Sequence, residues 1–329
     1  MDQNYWRGRK VLVTGAGGFI GSHLAEQLAR LGADTRCFVH YNSKNSAGWL
    51  DRSSRKSELD LFAGDIRDIE SVRRAVQGVD VVFHLAALIG IPYSYHSPRS
   101  YVQTNVEGTL NILEAARHHA TERIICTSTS EVYGTAQYVP IDEKHPLTGQ
   151  SPYSATKIGA DKIAEAYHLS FGMPVSVARP FNTYGPRQST RAVIPTIISQ
   201  ALLGETIRLG NLDATRDLNF VEDTVQGFLA LAATPETIGQ TINFATGQEI
   251  SIRQLAIKIC DLIGKPCRIE SEAARLRPRD SEVERLCGSS EPMRKATGWE
   301  PKVSLQEGLT RTIDWMKHEN PYTDLAYTI

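Results

Sequence analysis

The chain lacks three features, and each absence excludes a class of function. There is no excess of either charge: 36 lysines and arginines stand against 37 aspartates and glutamates, a formal net charge of −1. A surface that coats nucleic acid or lies on an anionic membrane needs a basic excess, so neither partner is expected. Nor is there a long hydrophobic run. The longest, around Val81 to Pro92, is interrupted by His84 and falls far below the ~20 residues of a membrane span. The opening residues, Met1 to Arg7, carry no long apolar stretch, and no signal peptide is expected. Paired cysteines are missing as well. Cys37, Cys126, Cys260, Cys267 and Cys287 are scattered, odd in number and without a Cys-x-x-Cys spacing. The expectation is reduced thiols in a cytoplasm, with neither a disulfide framework nor a metal site.

What remains is a core-forming composition. Hydrophobic residues make up 41% of the 329 positions and charged residues 22%, which suits one large or two modest domains. In the first half, short β-branched runs alternate with amphipathic stretches. Lys10 to Thr14 reads as a buried strand and Phe19 to Leu31 as a helix with apolar residues at helical spacing. Strands follow at Thr35 to Val39, Leu59 to Ala63, Val79 to Leu85, Arg123 to Ser128 and Val175 to Arg179, with a helix at Ile69 to Val76. Strand–helix repetition of this kind predicts an α/β fold with a Rossmann-type, doubly wound parallel sheet. From about Phe181 the pattern loosens into short mixed elements. The expected division is therefore 1–180, a nucleotide-binding domain, and 181–329, a smaller mixed α/β substrate domain, with some elements interleaved and a cleft between the two.

The turn Gly15-Ala16-Gly17-Gly18-Phe19-Ile20-Gly21 joins the first strand to the first helix. Glycines at Gly15, Gly18 and Gly21 let the backbone approach a pyrophosphate, which then rests on the helix N-terminal N–H groups. A lone glycine turn also serves purely structural ends; its place between a strand and a helix points to a dinucleotide. An NAD-preferring site usually has a carboxylate at the end of the second strand. Here that end is Val39-His40-Tyr41-Asn42-Ser43-Lys44, with no acid, and His40, Ser43 and Lys44 are placed to meet a 2′-phosphate. The cofactor expectation is NAD(P), with NADP favoured. Asp65, followed by Ile66 after the third strand, is placed to pair an adenine amino group, although an Asp there also serves as a cap.

Tyr153-Ser154-Ala155-Thr156-Lys157 puts a phenol and an ammonium on one helical face. A neighbouring cation lowers a phenol pKa that starts near ~10, which makes Tyr153 a usable base. Y-x-x-x-K also arises by chance as a surface pair. Upstream, Thr127-Ser128-Thr129-Ser130-Glu131 leaves a strand at its C-terminal end, where open α/β sheets place their ligands, so a hydroxyl and a carboxylate enter the same cleft. His118-His119 at a helix end complements the helix dipole and is not read as a metal pair.

Together these segments resemble the extended short-chain dehydrogenases/reductases that act as nucleotide-sugar epimerases and dehydratases. The resemblance runs from Gly15–Gly21 through His84-Leu85-Ala86-Ala87, Asn105, Thr127–Gly134 and Tyr153–Lys157. It continues through Arg179-Pro180-Phe181-Asn182-Thr183-Tyr184-Gly185-Pro186-Arg187 and Arg216-Asp217 to Arg277-Pro278 and Gly298–Pro301. It implies that Tyr153 takes the sugar 4-hydroxyl proton, that Lys157 bridges the nicotinamide ribose, and that Thr129 holds the 4-oxygen. Gly15, Gly18, Phe19, Ile20, His40, Asp65, Ile66, Leu85, Ala86, Ala87 and Pro180 would line the cofactor. Ser130, Asn182, Arg187, Arg216 and Arg277 would hold the nucleotide sugar. The helices Val102–His118 and Tyr153–Ser170 resemble the family's four-helix dimer seam, so a homodimer is expected.

Within this family a 4,6-dehydratase needs a carboxylate to remove the C5 proton, and Glu131 fits that task. The Thr-Ser-Glu triplet is similar to that of GDP-mannose 4,6-dehydratase, and it also occurs in UDP-glucuronate decarboxylases. The loop Tyr41–Leu50 resembles dehydratases of legionaminic-acid-type pathways that act on a nucleotide-linked N-acetylglucosamine. The expected activity is therefore NAD(P)-dependent dehydration of UDP- or GDP-N-acetylglucosamine. A decarboxylase and a 4-epimerase are the enzymatic alternatives. A non-catalytic NADP-binding sensor or scaffold is the alternative of another kind, and such proteins usually break the Tyr or the Lys, both intact here.

Overall fold

The computed structural model describes residues 4–319. Seven parallel strands form the main sheet: β1 (Lys10–Thr14), β2 (Asp34–His40), β3 (Leu59–Gly64), β4 (Val81–His84), β5 (Arg123–Thr127), β6 (Val175–Pro180) and, much later in the chain, β10 (Thr241–Phe244). Their spatial order is β10-β6-β5-β4-β1-β2-β3. Strand order reverses between β1 and β4, and a crevice opens there beyond the strands' carboxyl ends, where α/β sheets bind ligands. The central strands are buried on both faces, which is why β1, β4, β5 and β6 read as nearly continuous apolar runs.

Smaller strands complete the remainder. β7 (Asn182–Tyr184), β9 (Thr215–Phe220) and β11 (Glu249–Ser251) form a three-stranded sheet, while β8 (Thr206–Leu209) pairs with β12 (Arg268–Ser271). The helices are α1 (Phe19–Arg30), α2 (Ile69–Val76), α3 (Ile91–His96), α4 (Pro98–Tyr101), α5 (Gly108–His118) and α6 (Pro152–Phe171). They continue as α7 (Val193–Leu203), α8 (Val221–Ala233), α9 (Ile252–Ile263), α10 (Glu291–Thr297) and α11 (Leu305–Glu319).

The elements expected from periodicity are present, with ends shifted by one or two residues; β4 is the shortest relative to its apolar run, ending at His84. The parts on either side of residue 180 interpenetrate. Phe228, Leu229 and Leu231 of α8, Phe244 of β10, Met293 and Trp299 belong to the same core as Val11, Val13 and Phe83. A second core gathers Ile194, Ile197, Ile207, Phe220, Leu255 and Leu309 around the smaller sheets.

Helix α6 carries the Tyr-Lys pair, and its start is tightly specified. Ser151 caps it, exchanging hydrogen bonds with Ser154 in a capping box, and Pro152 occupies the first turn. Gly172, in the left-handed region at φ +64°, ends it. Tyr153, Lys157 and Asp161 recur every four residues, Ala164 follows three further on, and all four are buried, so one stripe of the helix, polar over its first three members, packs inward.

Candidate active site

The glycine turn forms a cradle. Gly15 has φ +68°, and a Cβ there would lie 3.0 Å from the backbone of Ala86, so the turn after β1 packs this closely on the segment after β4 because the residue is glycine. A Cβ on Gly21 would collide with the Gly15 carbonyl. Helix α1 begins at Gly18 with no side-chain cap and no acidic residue in its first turn. Its N–H groups and dipole are left for an anion. This bare cradle fits a dinucleotide pyrophosphate, with Gly15, Gly18, Phe19 and Ile20 at its floor.

The segment after β2 folds over this turn. Trp49 N–H donates to the Gly17 carbonyl at 3.0 Å, and the Trp49 ring packs edge-on against Trp315 of α11. Asn42 is consumed by the loop itself, bonding the His40 and Ser46 backbones. Asp51 accepts from Ser46 Oγ, Ala47 N–H and Lys56 Nζ. His40, Ser43 and Lys44 remain exposed beyond the strand end. Asp65 is already engaged: Arg67 donates to both of its carboxylate oxygens, the closest bond 2.5 Å, and holds its carboxyl below the usual range. An adenine amino group at Asp65 therefore competes with Arg67. Ile66 is buried against α5, where a Cβ on Gly108 would lie 3.0 Å from its side chain.

At the end of β4, hydrogen bonding assigns one tautomer to His84. Thr14 Oγ1 accepts the Leu85 and Ala86 N–H groups, so its proton goes to His84 Nδ1 at 2.9 Å. Thr109 Oγ1 donates to the Asn105 carbonyl, and so accepts from His84 Nε2 at 3.0 Å. Burial pushes the imidazole pKa down to about 3, aided by the Lys157 charge. His84 is thus a neutral strut that sets Leu85, Ala86 and Ala87 against the cradle. Asn105 fastens the next turn, bonding Leu88 at both its backbone N–H and carbonyl and reaching Thr156 of α6.

Thr129, Glu131, Tyr153 and Lys157 come together at the carboxyl ends of β5 and β6. Thr129 caps the turn Ser130–Tyr133, accepting from Glu131 N–H at 3.2 Å, and its hydroxyl acts on Tyr153 to lower the phenol pKa. Ser130 and Glu131 are buried. Lys157 Nζ donates to the Thr127 carbonyl at 2.5 Å. The electrostatics differ from the sequence expectation of a phenol lowered by its lysine. Burial raises the Tyr153 pKa well above its ordinary value, Glu131 and Asp161 add to the rise, and the Thr129 bond is what opposes it. Pro180 lies buried at the end of β6, where the Phe181 N–H donates to the Phe244 carbonyl.

The opposite wall of the cleft comes from the smaller part of the chain. Arg277 Nη1 stands 4.0 Å from Glu131 and 3.7 Å from Glu282, and Arg216 is 3.5 Å from Glu282. Buried Arg277 Nη1 and Asn182 Oδ1 have no hydrogen-bond partner among the described residues, so both have capacity for a ligand. Arg187 is elsewhere. It donates to Ser22 Oγ at 3.1 Å and Glu26 Oε1 at 3.0 Å on α1, with a left-handed φ of +73° that turns it there. The structure thus joins Arg216 and Arg277 but leaves Arg187 under the cradle. Sequence reasoning missed Glu282, which neutralises the two arginines, and Asp161, whose Tyr-x3-Lys-x3-Asp spacing was the available signal. Among the described residues no three His, Cys, Asp or Glu side chains converge to hold a metal, and no helix is long and apolar enough to cross a membrane.

A doubly wound sheet with a glycine cradle and a buried Thr–Tyr–Lys group defines the short-chain dehydrogenase/reductase class, in its extended form. Residues 12–312 match the GDP-mannose 4,6 dehydratase family, and the chain belongs to it. It is 33% identical over 319 residues to a UDP-glucose 4-epimerase of Mycolicibacterium smegmatis, covering 94% of this chain and 99% of that one. A dTDP-glucose 4,6-dehydratase of Streptomyces antibioticus is 31% identical over 312 residues, covering 93% and 92%. The solved dTDP-glucose 4,6-dehydratase of Streptomyces venezuelae, with NAD bound, superposes with a TM-score of 0.86 at 29% identity, covering 96% and 99%.

Proposed function

We propose that this enzyme is a nucleotide-sugar 4,6-dehydratase acting with NAD(P) on UDP- or GDP-linked N-acetylglucosamine. The observation that supports it is the buried Glu131 carboxylate, which acts on Tyr153 from one side and on Arg277 from the other. Bound NAD(P) would supply a reversible hydride store, taking hydride from C4 and giving it back at C6 after water has left, with a solvent proton added at C5, so that the overall change is redox-neutral. Tyr153 takes the 4-hydroxyl proton, and Thr129, whose hydroxyl acts on the phenol, holds the 4-oxygen. Glu131 then removes the C5 proton, made acidic by the adjacent ketone, and returns a proton to the departing 6-hydroxyl, so that water leaves across C5–C6. Asn182, Arg216 and Arg277 hold the diphosphate and nucleoside.

The loop Tyr41–Leu50 supports the amino-sugar substrate. His40, Ser43 and Lys44, exposed with no carboxylate at the end of β2, favour NADP over NAD. The exposed Leu110 on α5 and Leu169 and Phe171 on α6 suit burial in a homodimer, which light scattering on the purified protein checks.

A 4-epimerase is the second reading, favoured by the M. smegmatis relative, since Tyr153 and a rotating ketosugar suffice for it. Incubation with UDP- and GDP-linked N-acetylglucosamine, glucose, mannose and glucuronate, read by mass spectrometry, separates the outcomes. Loss of one water from the sugar supports dehydration. An unchanged mass with a new sugar, or loss of carbon dioxide, replaces it with epimerisation or decarboxylation.

A further inference from the structure

Behind the Tyr-Lys pair lies a polar group that the reaction does not use directly. Asp161 sits one helical turn beyond Lys157 on α6 and is buried. Its Oδ2 accepts from Ser128 Oγ at 2.7 Å and from Arg179 Nε and Nη2 at 3.1 and 2.9 Å. The Arg179–Asp161 ion pair is almost fully removed from water, at 5% and 6% exposure. From Arg179 the chain of bonds runs to Tyr133 Oη and on to Asn243.

We propose that Asp161 is a positioning residue for C4 oxidation: its buried carboxylate is the counter-charge one helical turn from Lys157 and, through Ser128, fixes the strand end that carries Thr129. Every other titratable group facing Lys157 leaves this task to Asp161. His84 from β4 is neutral, its pKa pushed down to about 3. The Cys126 thiol from β5 is pushed up to about 12 by burial and is also neutral at working pH. Arg179 from β6 is a second cation, and Tyr133 from the turn after β5 is a phenol raised by burial. Glu131 acts on Tyr153. Without Asp161, buried Arg179 would lose its ion-pair partner and Lys157 the carboxylate one helical turn away, and burial alone already lowers the lysine pKa.

The sign of the effect follows. The Asp161 charge raises the pKa of both Lys157 and Tyr153. Removing it moves both down, so both limbs of the kcat–pH profile shift to lower pH. A residue that only stabilised the fold would lower activity without moving the limbs. This role needs only that Tyr153 and Lys157 be the oxidising pair; it is indifferent to whether water is later lost.

The experiment compares wild type with Asp161→Asn, Asp161→Glu and the double variant Asp161→Asn/Arg179→Gln, which also removes the arginine that Asn would leave unpaired. One readout is the kcat–pH profile with whichever nucleotide sugar the product screen identifies. The other needs no substrate: the ε-carbon resonance of Lys157 in 13C-lysine-labelled protein, assigned with Lys157→Arg, is followed against pH. In both Asn variants the limbs and the Lys157 titration should fall by about one pH unit, with Asp161→Glu recovering most of the shift. A folded Asn variant that titrates like wild type overturns the proposal, and so does failure of all Asn variants to fold. A Lys157 shift without any sugar turnover would support Asp161 while removing the dehydratase reading.

Discussion

The Glu131 carboxylate and the Arg277 guanidinium stand 4.0 Å apart, one contributed by the turn after β5 and the other by a segment nearly 150 residues later. Neither is held by a direct hydrogen bond to the other at that distance, and Arg277 Nη1 has no hydrogen-bond partner among the described residues. A sugar diphosphate drawing Arg277 away would leave Glu131 facing the sugar ring. Under the proposed dehydratase reading, the pair would link substrate binding to exposure of the carboxylate that takes the C5 proton.

In the proposed reaction Tyr153 carries the first step. Burial raises its pKa, so the phenol is a strong base once ionised, and no other hydroxyl in the group matches it. Tyr153→Phe should lower kcat by about 10²- to 10⁴-fold with little change in the binding of nucleotide sugar. Steady-state kinetics with a parallel calorimetric titration checks this; a variant retaining most of its turnover would remove Tyr153 from the mechanism.

The glycines of the cradle are not equivalent. Gly18 has φ −81° and ψ −174°, open to any residue, and a Cβ there meets the Gly15 carbonyl at 3.2 Å. Gly18→Val should therefore keep the fold and abolish NAD(P) binding by filling the pyrophosphate seat. Gly15→Ala is different: its positive φ and the Ala86 backbone should make it unstable by more than about 1 kcal/mol. Thermal unfolding and cofactor titration of the two variants separate the roles, and wild-type NAD(P) affinity in Gly18→Val would defeat the cradle assignment.

Two histidines, buried His84 and half-buried His23, make the fold acid-labile. His84 and His23 have pKa values pushed down by burial, to about 3 and about 4. The unfolded chain binds protons on both below its ordinary histidine pKa of about 6.5, and the native state does not. Stability is thus full above about 6.5 and is lost as pH falls, by up to about 1.4 kcal/mol per pH unit for each histidine until its native pKa is reached. Urea unfolding between pH 7 and about 4 measures the slope. His23→Gln, which leaves the His84 strut intact, should flatten it by roughly half; an unchanged slope would show that His23 is not held neutral.

The sheet was legible in the sequence because its signals are local. Apolar runs, the glycine turn and the four-residue repeat on α6 each sit within a few residues of one another. The active site was legible only where one segment carries it, as in Thr129–Glu131 or Tyr153–Lys157. Glu282 and Asp161 were missed because their meaning lies in partners brought in by the fold: Arg216 and Arg277 for one, Arg179 and Ser128 for the other. Arg187 shows the converse. Its chemistry suits a phosphate, but a left-handed backbone turns it onto Glu26 of α1, and spacing carries no information about direction.

The choice between dehydratase and epimerase rests on Glu131. Glu131→Gln leaves Tyr153, Lys157 and Thr129 in place and keeps the side chain's volume, so hydride transfer from C4 should still occur. The resulting 4-ketosugar cannot lose its C5 proton to an amide, and elimination of water should stop there. Mixed with NAD(P) and substrate, the variant should develop the near-ultraviolet absorbance of the reduced nicotinamide and hold it, where the wild type lets it decay. In deuterated water the wild-type product should carry deuterium at C5, and sugar recovered from the variant should carry none. If Glu131→Gln turns over at the wild-type rate, or C5 of the wild-type product stays unlabelled, Glu131 is not the C5 base and the 4-epimerase reading takes its place.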